Sequence, residues 1–184
     1  MSLPRAARRL GRTILSRHAR AHAIHDLQRR SFGKPGLPPG PIGNVVVVCH
    51  GNICRSPFAE GLLARARPDL RLRSAGLSAA RDSGAEPGAL RVGARLGVDL
   101  GRHRSRPFVD EDVAWADLIL TMEAHQSAAI ASRWPGTKAR TRMLGDYLER
   151  PPYSIPDPWG GDDALFLDVF ATIQAAVGNL VADL

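Results

Sequence analysis

The stretch "VVVVCHGNICRSP", Val45 to Pro57, decides the fold. Four consecutive valines form the pattern of a central strand buried on both faces. Gly51 and Asn52, the residue types best able to take left-handed or strained dihedrals, follow it closely. A helix is then predicted from Arg55 to Arg67, with Phe58, Leu62, Leu63 and Ala66 inward. In an open α/β sheet the ligand site lies beyond the carboxyl ends of the strands, and here that place is the loop between Val48 and Arg55.

Working outward, "LRLRSAG" from Leu70 alternates like a strand, and "GALRVGARLG" reads as a helix closed by Gly97. "ADLILTM" reads as a second buried strand, "EAHQSAAIASRW" as a helix and "KARTRML" as a fourth strand. Phe166, Val169, Phe170, Ile173, Ala176, Val177, Leu180 and Val181 make the apolar stripe of a final helix docked on the sheet. This alternation predicts an α/β fold: a single domain with a central four-stranded parallel sheet flanked by helices on both faces. A chain of 184 residues, 44% hydrophobic, is long enough for one such core and short for two. The domain is expected over residues 44–184. Residues 1–43 form a basic N-terminal extension ending in the breaker-rich linker "GKPGLPPGPIG". In it Leu3, Ala7, Leu10, Ile14, Ala21, Ile24 and Leu27 recur at roughly helical spacing.

The net charge of +7 belongs to that extension. Nine Lys or Arg stand there against Asp26 alone, which leaves residues 44–184 near neutrality at −1. The domain therefore has no basic face of its own, and no nucleic acid is expected as partner. The extension admits an organelle-type presequence, a helix on anionic lipid, a hook for an acidic partner, or solvated disorder. Disorder or a weakly docked helix is the first choice among these. His18, His22 and His25 could share a helix face, but a solvated polar face is commoner than a ligand set without a nearby acid or cysteine, so no metal and no cofactor are expected. No run approaches the roughly 20 uninterrupted apolar residues of a membrane span, and no signal-like apolar core opens the chain. With two cysteines, Cys49 and Cys54, there is neither a disulfide framework nor a paired zinc motif; a reducing, cytoplasmic location is expected.

The cysteines thus carry chemistry or packing. Consecutive N–H groups of "CHGNICR" can curl around an anion, the following helix N-terminus adds partial positive charge, and Arg55 adds a fork suited to two phosphate oxygens. A thiol at the centre of that field should ionise below the free value of about 8.5. Cys49 is therefore expected to be a nucleophile aimed at bound phosphate. A lone cysteine at a strand end would instead be a small buried hydrophobe; Cys-x5-Arg-Ser at a strand-to-helix turn overturns that preference.

"VCHGNICRSPFAE" resembles the signature of the low-molecular-weight protein tyrosine phosphatases. "RSAG" (73–76), "GRHRSRP" (101–107), "ADLILTMEAH" (116–125) and "IPDPW" (155–159) fall in the family's order and spacing, and the resemblance covers residues 44–184. The pattern is most similar to the bacterial branch that works beside tyrosine autokinases in exopolysaccharide production. The resemblance implies a phosphocysteine mechanism: Cys49 as nucleophile, Arg55 on the phosphate and Asp157 as general acid and then base. It places His50, Gly51, Asn52, Ile53, Cys54, Arg55 and Ser56 around the phosphate. Ser56 would donate to the departing thiolate, and Asn52, Ser74 and His103 would brace the loop. His50 and Trp159 would flank the mouth. The implied partner is a tyrosine-phosphorylated protein, in that branch a tyrosine autokinase of polysaccharide export.

Each assignment has a plainer counterpart: Asp157 as a turn residue before Pro158, Arg55 as a surface residue of a first helical turn, Ser56 as a helix cap. Cys54 is either a small packing residue or a thiol that traps oxidised Cys49 as a disulfide. Among rival functions, arsenate reduction needs thiols outside the loop, and none exists. Arginine phosphatases resemble this loop but carry Thr where this chain has Ile53, whose bulk suits an aryl phosphate better. A silent phosphotyrosine-binding module or tail-driven adaptor would require a broken nucleophile, arginine or acid.

Overall fold

The computed structural model describes residues 17–184. Helix α1 (Arg17–Phe32) precedes β1 (Asn44–Cys49), α2 (Arg55–Ala66), β2 (Arg71–Gly76), α3 (Pro87–Arg95), α4 (Asp110–Trp115), β3 (Leu118–Thr121), α5 (Ala124–Arg133), β4 (Thr141–Met143) and α6 (Asp163–Asp183). The strands form one parallel sheet in the order β2-β1-β3-β4, with Val47 paired to Ser74 on one side and Leu120 on the other. The four-stranded parallel α/β domain is therefore as expected.

The valine run works because its period-two geometry feeds two cores at once. Val45, Val47 and Cys49 join Leu118, Leu120, Phe58, Leu63, Phe166 and Phe170 on one face of the sheet. Val46 and Val48 join Ile119, Ile130, Phe108 and Ala116 on the other. On the first face the Phe58 and Phe170 rings stack at 3.8 Å, with Phe166 edge-on to Phe170. Helix α6 is long and apolar enough to cross a membrane by length and composition. Its apolar stripe is nevertheless buried in this core against α2 and α3, as a docked helix requires.

Several boundaries differ from expectation. Ala66 is exposed, and α2 instead buries Pro57, Phe58, Ala59 and Leu63. Strand β2 does not alternate: it lies at the sheet edge and buries its last three residues, where the loop crosses it. Only Thr141–Met143 of "KARTRML" is strand, because Pro135–Arg140 winds as a 3-10 helix before it. Helix α4 has no apolar periodicity to announce it; it is opened by Asp110, Glu111 and Asp112 at its positive end.

The extension adds a helix and a docked linker to the domain. Leu3, Ala7, Leu10 and Ile14 fall outside the described residues. Helix α1 packs on α5, but through its polar side: Ile24 and Leu27 are 57% and 66% exposed. His25 Nε2 lies 2.7 Å from the buried Asp146 carboxylate, and Arg29 donates to the Asp146 carbonyl at 3.0 Å. Lys34 pairs with Asp183, Arg142 donates to the Gly36 carbonyl at 2.7 Å, and Leu37 and Ile42 pack against the larger core.

Candidate active site

The loop after β1 is held from outside by its own carbonyls. The Cys49 carbonyl accepts from Leu77 N at 3.0 Å, His50 from Ser78 N at 2.9 Å and Ile53 from Glu86 N at 2.9 Å. His103 Nε2 donates to the Asn52 carbonyl at 2.6 Å, which fixes the ring proton on that nitrogen. A loop whose carbonyls are bonded outward turns its N–H groups inward, the arrangement that cradles anions. The Asn52 N–H shows the direction, donating to Cys49 Sγ at 3.2 Å.

Asn52 is the hinge of the curl. It is fully buried with φ of +55°, a left-handed conformation that asparagine tolerates better than most residues. Its amide nitrogen donates to Ser56 Oγ and Ser74 Oγ, both at 2.9 Å, and its side-chain oxygen accepts from Arg106 N at 3.0 Å. Ser56 Oγ also lies 3.1 Å from Cys49 Sγ. The loop crosses β2 so closely that a Cβ on Gly76 would fall 2.6 Å from the His50 carbonyl oxygen and 2.9 Å from Asn52 N, so "RSAG" must end in glycine.

Arg55 is 1% exposed and reaches two acids. Its Nη1 donates to Glu123 Oε2 at 2.8 Å and to the Ile155 carbonyl at 3.0 Å. Its Nη2 lies 2.7 Å from Asp157 Oδ2. Its Nε is buried and, among the described residues, without a hydrogen-bond partner. One edge of the guanidinium is thus anchored, while the Nε–Nη2 edge is engaged, among the described residues, only by Asp157.

Cys49, His50, Gly51, Ile53, Cys54, Arg55, Asp157 and Trp159 line one cavity of about 370 Å³, with a wall from Ser78, Ala80, Ser83, Gly84 and Ser105. Trp159 is 70% exposed and His50 is exposed, and both line the cavity. Cys54 sits in the larger core; burial, reinforced by the Asp157 carboxylate, pushes its thiol well above the ordinary range. Both cysteines are free thiols.

Glu123, Ser105, Arg106 and Asp112 were not singled out from sequence. Ser105 Oγ donates to the Ala80 carbonyl and accepts from Ser83 N, stapling the cavity wall. Asp112, 1% exposed, takes both Nη atoms of Arg106 at 2.7 and 2.8 Å, which fixes the backbone that serves Asn52. Glu123 did carry a signal: it stands at the carboxyl end of β3, the same end of the sheet as Cys49. The premise that no acid lies near the extension's histidines also needs correction. His22 Nε2 lies 3.7 Å from Glu123 Oε1, His18 stacks on His125 at 4.1 Å, and His25 goes to Asp146 instead. Burial lowers the His125 pKa against the pull of Glu123.

The sequence model described as low molecular weight phosphotyrosine protein phosphatase matches residues 44–184. The chain is similar to the low molecular weight protein-tyrosine-phosphatase Ptp of Acinetobacter johnsonii, 38% identical over 136 residues that make up 74% of this chain and 94% of that protein. Among solved structures it is similar to the tyrosine phosphatase AmsI of Erwinia amylovora, with TM-score 0.76 and 30% identity over 79% of this chain and 95% of that one. It is also similar to the YwlE arginine phosphatase of Geobacillus stearothermophilus, with TM-score 0.71 and 30% identity over 77% and 92%. With the family's sequence matched over the whole of the sheet, the cradle and the loop carrying Asp157, this chain belongs to the low molecular weight phosphotyrosine protein phosphatases.

Proposed function

We propose that the protein hydrolyses phosphotyrosine in proteins through a phosphocysteine on Cys49. The observation that carries this reading is the outward bonding of the loop carbonyls around a cysteine that shares its cavity with Arg55 and Asp157. The Cys49 thiolate attacks phosphorus; the S–P bond forms as the bond to the aryl oxygen breaks, and Asp157 gives its proton to the leaving phenolate. Water then attacks phosphorus, passing a proton to Asp157, and the S–P bond breaks to release phosphate and restore the thiolate. Ser56 Oγ, 3.1 Å from Sγ, stabilises the sulfur charge at that departure.

The Arg55 fork is suited to the phosphate for a specific reason. Glu123 and the Ile155 carbonyl hold Nη1, so the Nε–Nη2 edge is presented as a preorganised pair of donors, and phosphate takes that edge from Asp157. Asn52, Ser74 and His103 act as positioning residues, since each bonds the loop and none lines the cavity. His50 and Trp159 form the rim against which a phenyl ring rests.

Arginine phosphatase activity is the second reading, favoured by the similarity to YwlE. Ile53, which lines the cavity, favours the aryl ester by its apolar bulk. Resemblance to the polysaccharide-associated branch supports a tyrosine autokinase as the physiological substrate and a cytoplasmic site of action. Assay of the chain on phosphotyrosine and phosphoarginine peptides tests the choice: preference for phosphotyrosine, competitive inhibition by vanadate, insensitivity of turnover to EDTA and complete loss in Cys49→Ser are expected. Appreciable turnover by a folded Cys49→Ser protein removes Cys49 from the mechanism.

A further inference from the structure

Behind the anchored edge of Arg55 lies a second constellation that phosphate chemistry does not use. His22 on α1, Glu123 at the end of β3 and His125 in the first turn of α5 each offer one donor atom, and the three atoms lie within 4.8 Å of one another. His22 Nε2 stands 3.7 Å and His125 Nδ1 3.9 Å from the same oxygen, Glu123 Oε1. Both distances are too long for hydrogen bonds. His125 Nδ1 is buried and, among the described residues, has no hydrogen-bond partner. The other carboxylate oxygen, Oε2, is already taken by Arg55 and Gln126.

We propose that His22, Glu123 and His125 bind a divalent transition-metal ion of the Zn2+ class, which fastens the N-terminal helix to the back of the active site. The donor set is chemically specific. Two imidazoles and one carboxylate suit Zn2+, Co2+, Ni2+ or Cu2+, whereas Mg2+ and Ca2+ demand oxygen ligands. Bonds of about 2.0–2.2 Å in a tetrahedral site put ligand atoms about 3.3–3.6 Å apart, so side-chain movements of under about 1 Å toward a common centre close the observed triangle. Three protein donors leave a fourth position for water. Ligation through His125 Nδ1 supplies the partner this buried atom lacks. All three side chains keep 18–24% of their surface exposed, which leaves an entry path.

The site joins parts of the chain with different origins. His22 lies in the extension, outside the residues matched by the family, while Glu123 and His125 lie within them. Because Glu123 presents one oxygen to the ion and the other to Arg55, the arginine becomes the outer partner of a metal ligand. Metal binding and the docking of α1 are thereby one event.

The test uses the full chain as Cys49→Ser, so that the cavity thiol does not compete, with readouts independent of turnover. After chelator treatment, calorimetry should show one Zn2+ bound per chain. Co2+ should give the visible bands of a four-coordinate N/O site without thiolate charge transfer. Zn2+ at about 100-fold over its Kd should raise Tm by about 5–10 °C, and it should slow tryptic cleavage at Arg20, Arg29 and Arg30. His22→Ala, on the surface helix and outside the domain core, should weaken binding at least about tenfold, as should His125→Ala, with the metal-free Tm reporting that each is folded. His18→Ala should bind as the parent does, and His25→Ala, which removes a docking contact of α1 but no ligand, should weaken binding less than His22→Ala. Absence of Zn2+ binding, a thiolate signature traced to Cys54, or unchanged affinity in folded His22→Ala overturns the site and leaves the cluster as weak ion pairs.

Discussion

The loop from Cys49 to Ser56 and helix α1 both meet the domain through polar contacts, yet they are built in opposite ways. In the loop the side chain that braces the curl is buried and bonded several times: Asn52 alone makes contacts with Ser56, Ser74, His103, Arg106 and Cys49 Sγ. An apolar strand and helix fix the two ends of the loop. Helix α1 reaches the domain with partly exposed His22, His25 and Arg29 and leaves Ile24, Leu27 and Phe32 in solvent. A buried polar network tolerates no missing member, because each orphaned group costs its full desolvation, whereas half-exposed contacts can be replaced by water. The loop is therefore rigid by construction and α1 is detachable.

That contrast can be broken from either side. The largest effect on turnover short of losing the nucleophile is expected for Asp157→Ala, which should lower kcat by about 10²- to 10⁴-fold. The loss should grow as the leaving group worsens; equal losses on phenyl phosphate and a nitrophenyl ester would refute leaving-group protonation by Asp157.

Asn52→Ala comes next. It leaves Arg106 N without its acceptor, removes the donor to Ser56 and Ser74, and puts a less tolerant residue at positive φ. A displacement of the cradle by even about 1 Å should cost about 10²-fold in kcat/KM, with Tm falling as well. A variant of normal activity would show that the outward-bonded carbonyls hold the curl unaided. Asp112→Ala probes the same network one step further out: loss of a buried carboxylate paired with partly exposed Arg106 should destabilise by about 2–3 kcal/mol, seen in urea melts, and disturb KM only through the backbone at 106.

The smallest effects belong to α1. His25→Ala should lower stability by about 1–2 kcal/mol, since Asp146 is buried, and leave kcat on small aryl phosphates within about twofold. Deletion of residues 1–43 should likewise spare kcat, but it also removes Lys34, Leu37 and Ile42, so its cost in Tm should exceed that of His25→Ala. A large loss of turnover in either protein would mean that α1 sets the position of Glu123 and hence of Arg55.

The same contrast explains what was legible in the sequence. Val45–Val48 announces itself because a strand covered on both faces needs apolar residues at every position, and the cradle does so because its anion-binding groups are consecutive. Cys49, Arg55 and Asp157 could be named from motifs and do share a cavity. Glu123 escaped because its partner Arg55 is brought to it only by pairing β1 with β3, and nothing local to "TMEAH" records that neighbour. The docking face of α1 was not legible for a related reason: its apolar residues have helical spacing, but the acid that holds the helix, Asp146, lies far along the sequence. Helix α4 and the shortness of β4 were hidden because acidic first turns and a 3-10 winding after Pro135 leave no periodic signal.

The ion pair between Arg55 Nη2 and Asp157 Oδ2 makes the protein its own first inhibitor. Asp157 is an anion seated on the guanidinium edge that a phosphate would claim, so every incoming ester must win a competition against a tethered ligand that cannot diffuse away. Apparent affinity for phosphate is scaled down by the fraction of molecules in which Asp157 has swung clear. On the proposed mechanism the same displacement frees the carboxyl at the moment a leaving group arrives to need it, so occupancy of the arginine and readiness of the acid would be mutually exclusive states of one side chain. Neutral Asp157→Asn, though slow, should for that reason hold phosphate or vanadate more tightly than the parent enzyme.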